Sequence, residues 1–77
     1  MKEKFRVTQS INGKSDEVVG FYKSYNDAND AIWEEVRKQV EGIRDYKITT
    51  KTISEEEAKL ILSFDGAIIN YALDTRH

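Results

Sequence analysis

Apolar and polar positions alternate along residues 4–11, and the alternation ends at Asn12-Gly13. A period of two is the pattern of a β-strand with one buried face, and Asn-Gly readily takes the positive φ angles of a type I′ turn. The sequence therefore predicts an N-terminal hairpin, in which a two-residue turn would place Val7 opposite Val18. The buried face would hold Phe5, Val7, Val18 and Tyr22, and the other face Arg6, Thr8, Val19 and Phe21.

The middle of the chain changes to a period near 3.6 residues, which is typical of an amphipathic helix. Ser24 followed by Asp27 resembles the start of a capping box, and Gly42 suits the position just past a helix end. We therefore expect one helix between these residues. Its apolar stripe consists of Ala28, Ile32, Val36, Val40 and Ile43, and its opposite face of Asp27, Asp30, Glu34, Lys38 and Glu41.

The last third of the chain contains a third strand and a second turn signal. Residues 46–53 are rich in β-branched side chains and predict a strand. Residues 54–62 are ambiguous, because residues 54–57 form a capping box that could begin a helix. A type I′ turn at Asp65-Gly66 would instead give two strands whose apolar residues share one face, so we favour strands with at most one helical turn at 54–57. The pairs would be Phe64 with Ala67, Leu62 with Ile69, and Leu60 with Tyr71.

The predicted order of elements is β-β-α-β-β-β, which belongs to the α+β class. The apolar faces of the helix and the hairpins must be buried against each other. We therefore expect one mostly antiparallel sheet with a single helix packed on one face. A length of 77 residues fits one small α+β domain over residues 1–77. The predicted core consists of Phe5, Val7, Val18, Ile32, Val36, Val40, Ile48, Leu62, Phe64 and Ile69.

The composition excludes several classes of protein. The chain has no cysteine, which excludes disulfides, a thiol nucleophile and cysteine-based zinc sites, and fits a cytoplasmic protein. A net charge of −2 argues against nucleic-acid binding by bulk attraction. No apolar run approaches the roughly 20 residues that a membrane span needs, and no apolar segment follows the N-terminus, so we expect neither a membrane segment nor a signal peptide.

No residues form a recognisable catalytic, metal or cofactor motif, so we expect a protein that is not an enzyme. The single histidine is the terminal residue His77, so an internal Ser-His or Cys-His nucleophile is not expected. Glu34 and Glu35, and the three acids at 55–57, are neighbours in sequence and would not converge in a cleft as acid–base catalysis requires. We therefore predict no cofactor and no metal site.

The exposed face of the predicted helix is the first candidate surface for binding a macromolecule. Trp33 would lie at the edge of the apolar stripe, and Trp is common at binding hot spots. This surface would consist of Asp27, Asp30, Trp33, Glu34 and Arg37. We therefore expect a small module that binds another protein. Its size and acidic helix would suit a phage or mobile-element inhibitor of a host protein.

The sheet face turned away from the helix is the second candidate surface. Basic residues of the first and third strands would lie there with an aromatic residue, as in sheets that bind single-stranded nucleic acid. This alternative function would use Arg6, Phe21, Lys47 and Lys51. The same face would hold the apolar residues Val19, Phe21, Ile61 and Ile68, so a two-fold homodimer that buries this face is a further expectation.

Overall fold

The structure, a computed structural model, describes residues 4–75, so the prediction that His77 has no catalytic role lies outside the described residues. Within residues 4–75 the chain forms one helix and five strands in the predicted order, which confirms the α+β fold. The elements are β1 (Phe5–Ile11), β2 (Glu17–Tyr22), α1 (Tyr25–Val40), β3 (Lys47–Thr52), β4 (Ala58–Phe64) and β5 (Ala67–Thr75).

The five strands form one sheet in the order β2-β1-β5-β4-β3, and every neighbouring pair is antiparallel. The last strand therefore lies beside the first, and β2 and β3 are the two edge strands. An edge strand presents backbone groups that the sheet itself does not pair. The helix packs mainly over β1, β2 and β5 and leaves the β3 side of the sheet less covered. We call the helix side the inner face and the opposite side the outer face.

The second hairpin has the predicted turn and register. Asp65 and Gly66 have φ angles of 48° and 78°, as a type I′ turn requires. Phe64 pairs with Ala67, and the pairs that follow keep the predicted register. The Asp65-Gly66 turn leads directly into both strands and therefore sets their register, which is why the sequence was sufficient here.

Residues 53–57 form the loop between β3 and β4 rather than the start of a helix. The N–H groups of Ile53 and Ser54 both donate to the carbonyl of Glu57, at 3.0 and 3.1 Å. The Ser54 hydroxyl accepts from the N–H of Glu56 at 3.1 Å, so it caps a short turn. The strand interpretation of the residues that follow is confirmed, because β4 begins at Ala58.

The predicted ends of the helix are confirmed. The Ser24 hydroxyl accepts from the N–H of Asp27 at 3.1 Å, which satisfies one of the unpaired donors of the first turn. Gly42 follows the helix with a φ angle of 79°, a left-handed conformation that glycine adopts without strain. The helix ends at Val40, so Ile43 lies beyond it and does not extend the apolar stripe.

The turn at Asn12-Gly13 forms, with φ angles of 51° and 76°, but it does not lead directly into β2. Asn12 is held by β5 instead. Its backbone N–H donates to the carbonyl of Ile68 at 2.7 Å, and its side-chain oxygen accepts from the Ile68 N–H at 2.8 Å. Pairing with β2 resumes only at Glu17, so the predicted two-residue hairpin is wrong.

A β-bulge in β2 changes which valine is buried. Val7 pairs with Gly20 and Thr8 pairs with Val18, so Val19 is the additional residue in β2. Val18 lies on the outer face and is 54% exposed, whereas Val19 packs against the core. The predictions that Val18 is in the core and that Val19 is on the outer face are therefore wrong.

The core lies between the inner face of the sheet and the helix. Of the other predicted core residues, Val40, Ile48 and Phe64 are half-buried and pack against this core. The predicted core omitted four buried residues, Ala28, Leu60, Tyr71 and Leu73, of which the first three lie on faces predicted to be apolar. The buried residues are Phe5, Val7, Ala28, Ile32, Val36, Leu60, Leu62, Ile69, Tyr71 and Leu73.

Candidate macromolecule-binding surfaces

The five residues predicted to bind a partner protein are all exposed on one side of α1. We call them the helix surface: Asp27, Asp30, Trp33, Glu34 and Arg37. The other side of the helix is held in the core by Ala28, Ile32 and Val36, each at most 3% exposed. The helix surface is therefore displayed on a packed support rather than on a loop.

The helix surface is acidic and only loosely constrained. It contains three carboxylates and one guanidinium. Glu34 and Arg37 form an ion pair at 3.6 Å, but both side chains are more than half exposed. An exposed pair of this kind contributes about 0–1 kcal/mol. Both side chains can therefore exchange this contact for one with another molecule.

Trp33 lies where the helix surface meets the edge of the sheet. Its side chain is 40% exposed. It lines a small cleft between α1 and the inner face of β3 and β4, with Asn29, Thr50 and Thr52 among the other lining residues. The helix periodicity correctly placed Trp33 at the edge of the apolar stripe. It did not reveal the cleft, which depends on how far α1 reaches across the sheet.

The residues proposed for nucleic-acid binding share the outer face but do not form one site. Arg6 and Phe21 are directly opposite each other on β1 and β2. Lys47 and Lys51 lie on β3. The strand order places β5 and β4 between these two groups. The sequence prediction grouped them because it had no information on strand order.

Arg6 is engaged by a carboxylate of the neighbouring strand. Its Nε and Nη2 atoms donate to the two carboxylate oxygens of Asp74, at 3.1 and 3.0 Å. This hydrogen bonding, together with the charge of Asp74, raises the pKa of Arg6. A bidentate pair fixes the guanidinium in orientation. The positive charge of Arg6 is therefore balanced within the sheet.

Three lysines gather at the β3 side of the outer face. Lys51 lies directly opposite Lys59 of β4, and Lys47 lies two side-chain positions further along the same face of β3. We call Lys47, Lys51 and Lys59 the lysine cluster. Lys59 was not among the predicted residues, although the register of the Asp65-Gly66 hairpin was sufficient to place it on the outer face.

The exposed apolar residues of the outer face fall into two separate places. Val18 lies on the edge strand β2 and is 54% exposed. Ile61 and Ile68 are diagonal neighbours on β4 and β5, and are 40% and 48% exposed. Thr8 and its β5 neighbours lie between them. The exposed apolar surface of the outer face is therefore less continuous than the sequence predicted.

Two tyrosines of the inner face, the buried Tyr71 and the partly buried Tyr22, have a raised pKa. Burial, and secondarily the charge of Glu35, raises the pKa of Tyr71 to about 12. The same two causes, in the same order, raise the pKa of Tyr22. Within residues 4–75, no three acidic or histidine side chains converge in a way that could hold a metal ion.

The chain matches no protein-family model, no curated protein and no solved structure. The described part of the chain contains no helix with the length and apolar character that a membrane crossing requires.

Proposed function

We propose that this protein is a small non-enzymatic module that binds another protein through the helix surface. The observation that carries the proposal is the exposure of Trp33 beside three carboxylates, on a helix whose opposite side is packed in the core. A partly exposed tryptophan offers a large apolar contact at little cost in side-chain entropy. It is therefore a suitable centre for an interface.

The charge of the helix surface indicates the chemistry of the partner. Asp27, Asp30 and Glu34 would attract a basic protein surface over several ångströms and so raise the rate of association. Trp33 acts only at contact and would mainly slow dissociation. A cytoplasmic inhibitor of a host protein, encoded by a phage or mobile element, is a role that fits this size and chemistry.

The experiment begins with affinity capture from the native host and identification of the captured protein by mass spectrometry. Binding kinetics then test the surface. Asp30→Lys with Glu34→Lys should lower the association rate, and Trp33→Ala should raise the dissociation rate. The matched control is Glu55→Lys with Glu57→Lys, which changes the net charge equally in the β3–β4 loop. Equal effects of the two charge reversals would contradict the proposal.

Binding of single-stranded nucleic acid by the outer face is the alternative function. The lysine cluster favours it, whereas the pairing of Arg6 with Asp74 and the separation of the predicted residues weigh against it. Titration with a labelled oligonucleotide at low ionic strength separates the two functions. Micromolar binding that Lys47→Glu abolishes would favour the alternative.

A homodimer through the outer face stays a prediction. Val18, Ile61 and Ile68 would be covered by a second copy related by a two-fold axis. Light scattering at micromolar concentration measures the mass directly, and the single chain has a mass of 8.9 kDa. A dimer that Phe21→Lys converts into a folded monomer would support the outer face as the interface, whereas a monomer at all accessible concentrations would contradict it.

A further inference from the structure

The two edge strands of the sheet differ in regularity. β2 contains a bulge at Val19, and bulges disturb the ladder that an additional strand would need. β3 pairs residue for residue with β4 from Lys47 to Thr52. Within residues 4–75 nothing pairs with the other side of β3. This edge is therefore a regular ladder that a further strand could extend.

The hydrogen bonds of the β3–β4 loop determine which backbone groups point out of this edge. Ile53 lies opposite Glu57 in the β3–β4 register, and its N–H donates to the Glu57 carbonyl. Hydrogen-bonded and non-hydrogen-bonded pairs alternate along an antiparallel ladder. Residues 47, 49 and 51 therefore bond to β4, and Ile48, Thr50 and Thr52 direct their N–H and C=O groups outward. The Asp65-Gly66 turn leads to the same assignment. Phe64 and Ala67 close this turn as a hydrogen-bonded pair, so Phe64 and every second residue before it in β4 bond to β5. The intervening residues of β4 therefore bond to residues 47, 49 and 51 of β3.

The side chains of β3 give the two faces of this edge different chemistry. On the outer face, Lys47 and Lys51 belong to the lysine cluster. On the inner face, Ile48 packs against the core, and Thr50 lines the cleft with Trp33. One side of an added strand would therefore meet positive charge, and the other side would meet Ile48, Trp33 and the threonines of the cleft.

We propose that β3 receives an extended segment of a partner protein as an additional strand, in which acidic residues alternate with apolar residues. The acidic side chains would face Lys47 and Lys51, and the apolar side chains would face Ile48 and the Trp33 cleft. The backbone of the segment would bond to the outward groups of Ile48, Thr50 and Thr52. This site shares Trp33 with the helix surface but uses none of its charged residues, and it does not depend on the proposed function.

A second copy of β3 does not fit this edge well. Two-fold antiparallel pairing centred on Thr49 would place Lys47 directly opposite Lys51 of the second copy. Pairing centred on Thr50 would bring the two copies of Lys51 into diagonal proximity. Like charges at these positions are destabilising. The lysines therefore favour an acidic segment over self-pairing.

The test uses a fluorescein-labelled peptide of alternating glutamate and valine with the 6-residue length of β3. It should bind the full chain at low ionic strength, and Lys47→Glu with Lys51→Glu should weaken binding by about tenfold or more. Thr50→Pro removes one outward N–H and should weaken binding, whereas Thr50→Val keeps that N–H and should not. The same peptide with lysine in place of glutamate should not bind.

Amide hydrogen exchange of the unmodified protein provides a readout that does not depend on the folding of any variant. In the free protein, the amides of Ile48, Thr50 and Thr52 should exchange faster than those of Thr49 and Lys51. Saturation with the glutamate–valine peptide should selectively slow the exchange of the amides of Ile48, Thr50 and Thr52.

Several results would overturn the proposal. The first is absence of peptide binding, and the second is equal binding by Thr50→Pro and Thr50→Val. The third is that the peptide slows amide exchange equally at Ile48, Thr50 and Thr52 and at the residues between them. Binding of a labelled single-stranded oligonucleotide in place of the peptide would assign the lysine cluster to nucleic acid. Asp30→Lys with Glu34→Lys should leave peptide binding intact, so failure of the helix surface and failure of this edge are distinguishable.

Discussion

The ring of Tyr22 lies across the α-carbon of Gly20, two residues earlier on β2. A Cβ atom built on Gly20 would lie 2.6 Å from the Tyr22 hydroxyl oxygen and 3.0 Å from the ring carbon that bears it. Gly20 lies opposite Val7 at the bulged part of β2. The absence of a side chain therefore lets an aromatic ring cover the strand where the ladder is irregular.

The first prediction concerns this contact. Gly20→Ala should destabilise the protein by about 1 kcal/mol, because the added methyl group forces the Tyr22 ring from its position. In a Tyr22→Ala background the same change should stabilise by roughly 0.5 kcal/mol, because alanine lowers the entropy of the unfolded chain relative to glycine. Urea unfolding of the four proteins measures both values. Equal effects of Gly20→Ala in the two backgrounds would show that the contact is not formed.

The second prediction concerns pH and the buried tyrosine Tyr71. A tyrosine has a pKa near 10 in the unfolded chain, whereas the pKa of Tyr71 is raised to about 12 in the folded protein. The unfolded state therefore loses its proton first. The stability that this tyrosine contributes is complete below about pH 10 and is lost as the pH rises toward about 12. Urea unfolding as a function of pH should show this loss, and Tyr71→Phe should reduce it. An unchanged slope in Tyr71→Phe would contradict the burial of the hydroxyl.

The third prediction concerns the Tyr71 hydroxyl at neutral pH. Among the described residues it has no hydrogen-bond partner, although it is buried. Burying an unpaired hydroxyl costs about 1–3 kcal/mol, so Tyr71→Phe should leave the free energy of unfolding unchanged or raise it by about 1 kcal/mol. Thermal unfolding at pH 7 measures the change. A clear loss of stability would mean that the hydroxyl is hydrogen-bonded in solution.

The fourth prediction concerns the packing of the helix on the sheet. Val36 is 3% exposed and is one of the three helix residues that are buried in the core. Val36→Ala should lower the free energy of unfolding by about 2–4 kcal/mol, the usual effect of a cavity in a small core. Lys38→Ala, on the exposed side of the same helix, is the control and should change stability by less than about 0.5 kcal/mol. An unchanged urea midpoint for Val36→Ala would contradict the placement of the helix.

The fifth prediction concerns the outer face and its use by nucleic acid. Asp74→Asn removes the carboxylate charge that balances Arg6. If the outer face binds single-stranded nucleic acid, this change should strengthen binding of a labelled oligonucleotide at low ionic strength. Asp27→Asn changes the net charge equally but lies on the helix surface, and it should have a smaller effect. Equal effects of the two variants would show that the attraction is not located on the outer face.

The parts of the fold that depend on neighbouring residues were determined by the sequence alone. The helix start at Ser24 and its stop before Gly42 rest on hydrogen bonds and φ angles within a few residues. The register of β4 and β5 follows from the two residues at Asp65-Gly66. The helix surface follows in the same way, because a period of 3.6 residues assigns each side chain to a face.

Contacts between distant parts of the chain decided the rest. Asn12 bonds to Ile68 across 56 positions, pairing with β2 resumes only at Glu17, and Val19 forms a bulge. The insertion of β5 and β4 between β1 and β3 separated the predicted basic residues and left β3 at an edge. Strand order and bulges depend on which long-range pairing buries the most apolar surface, and a local period contains no information on that choice.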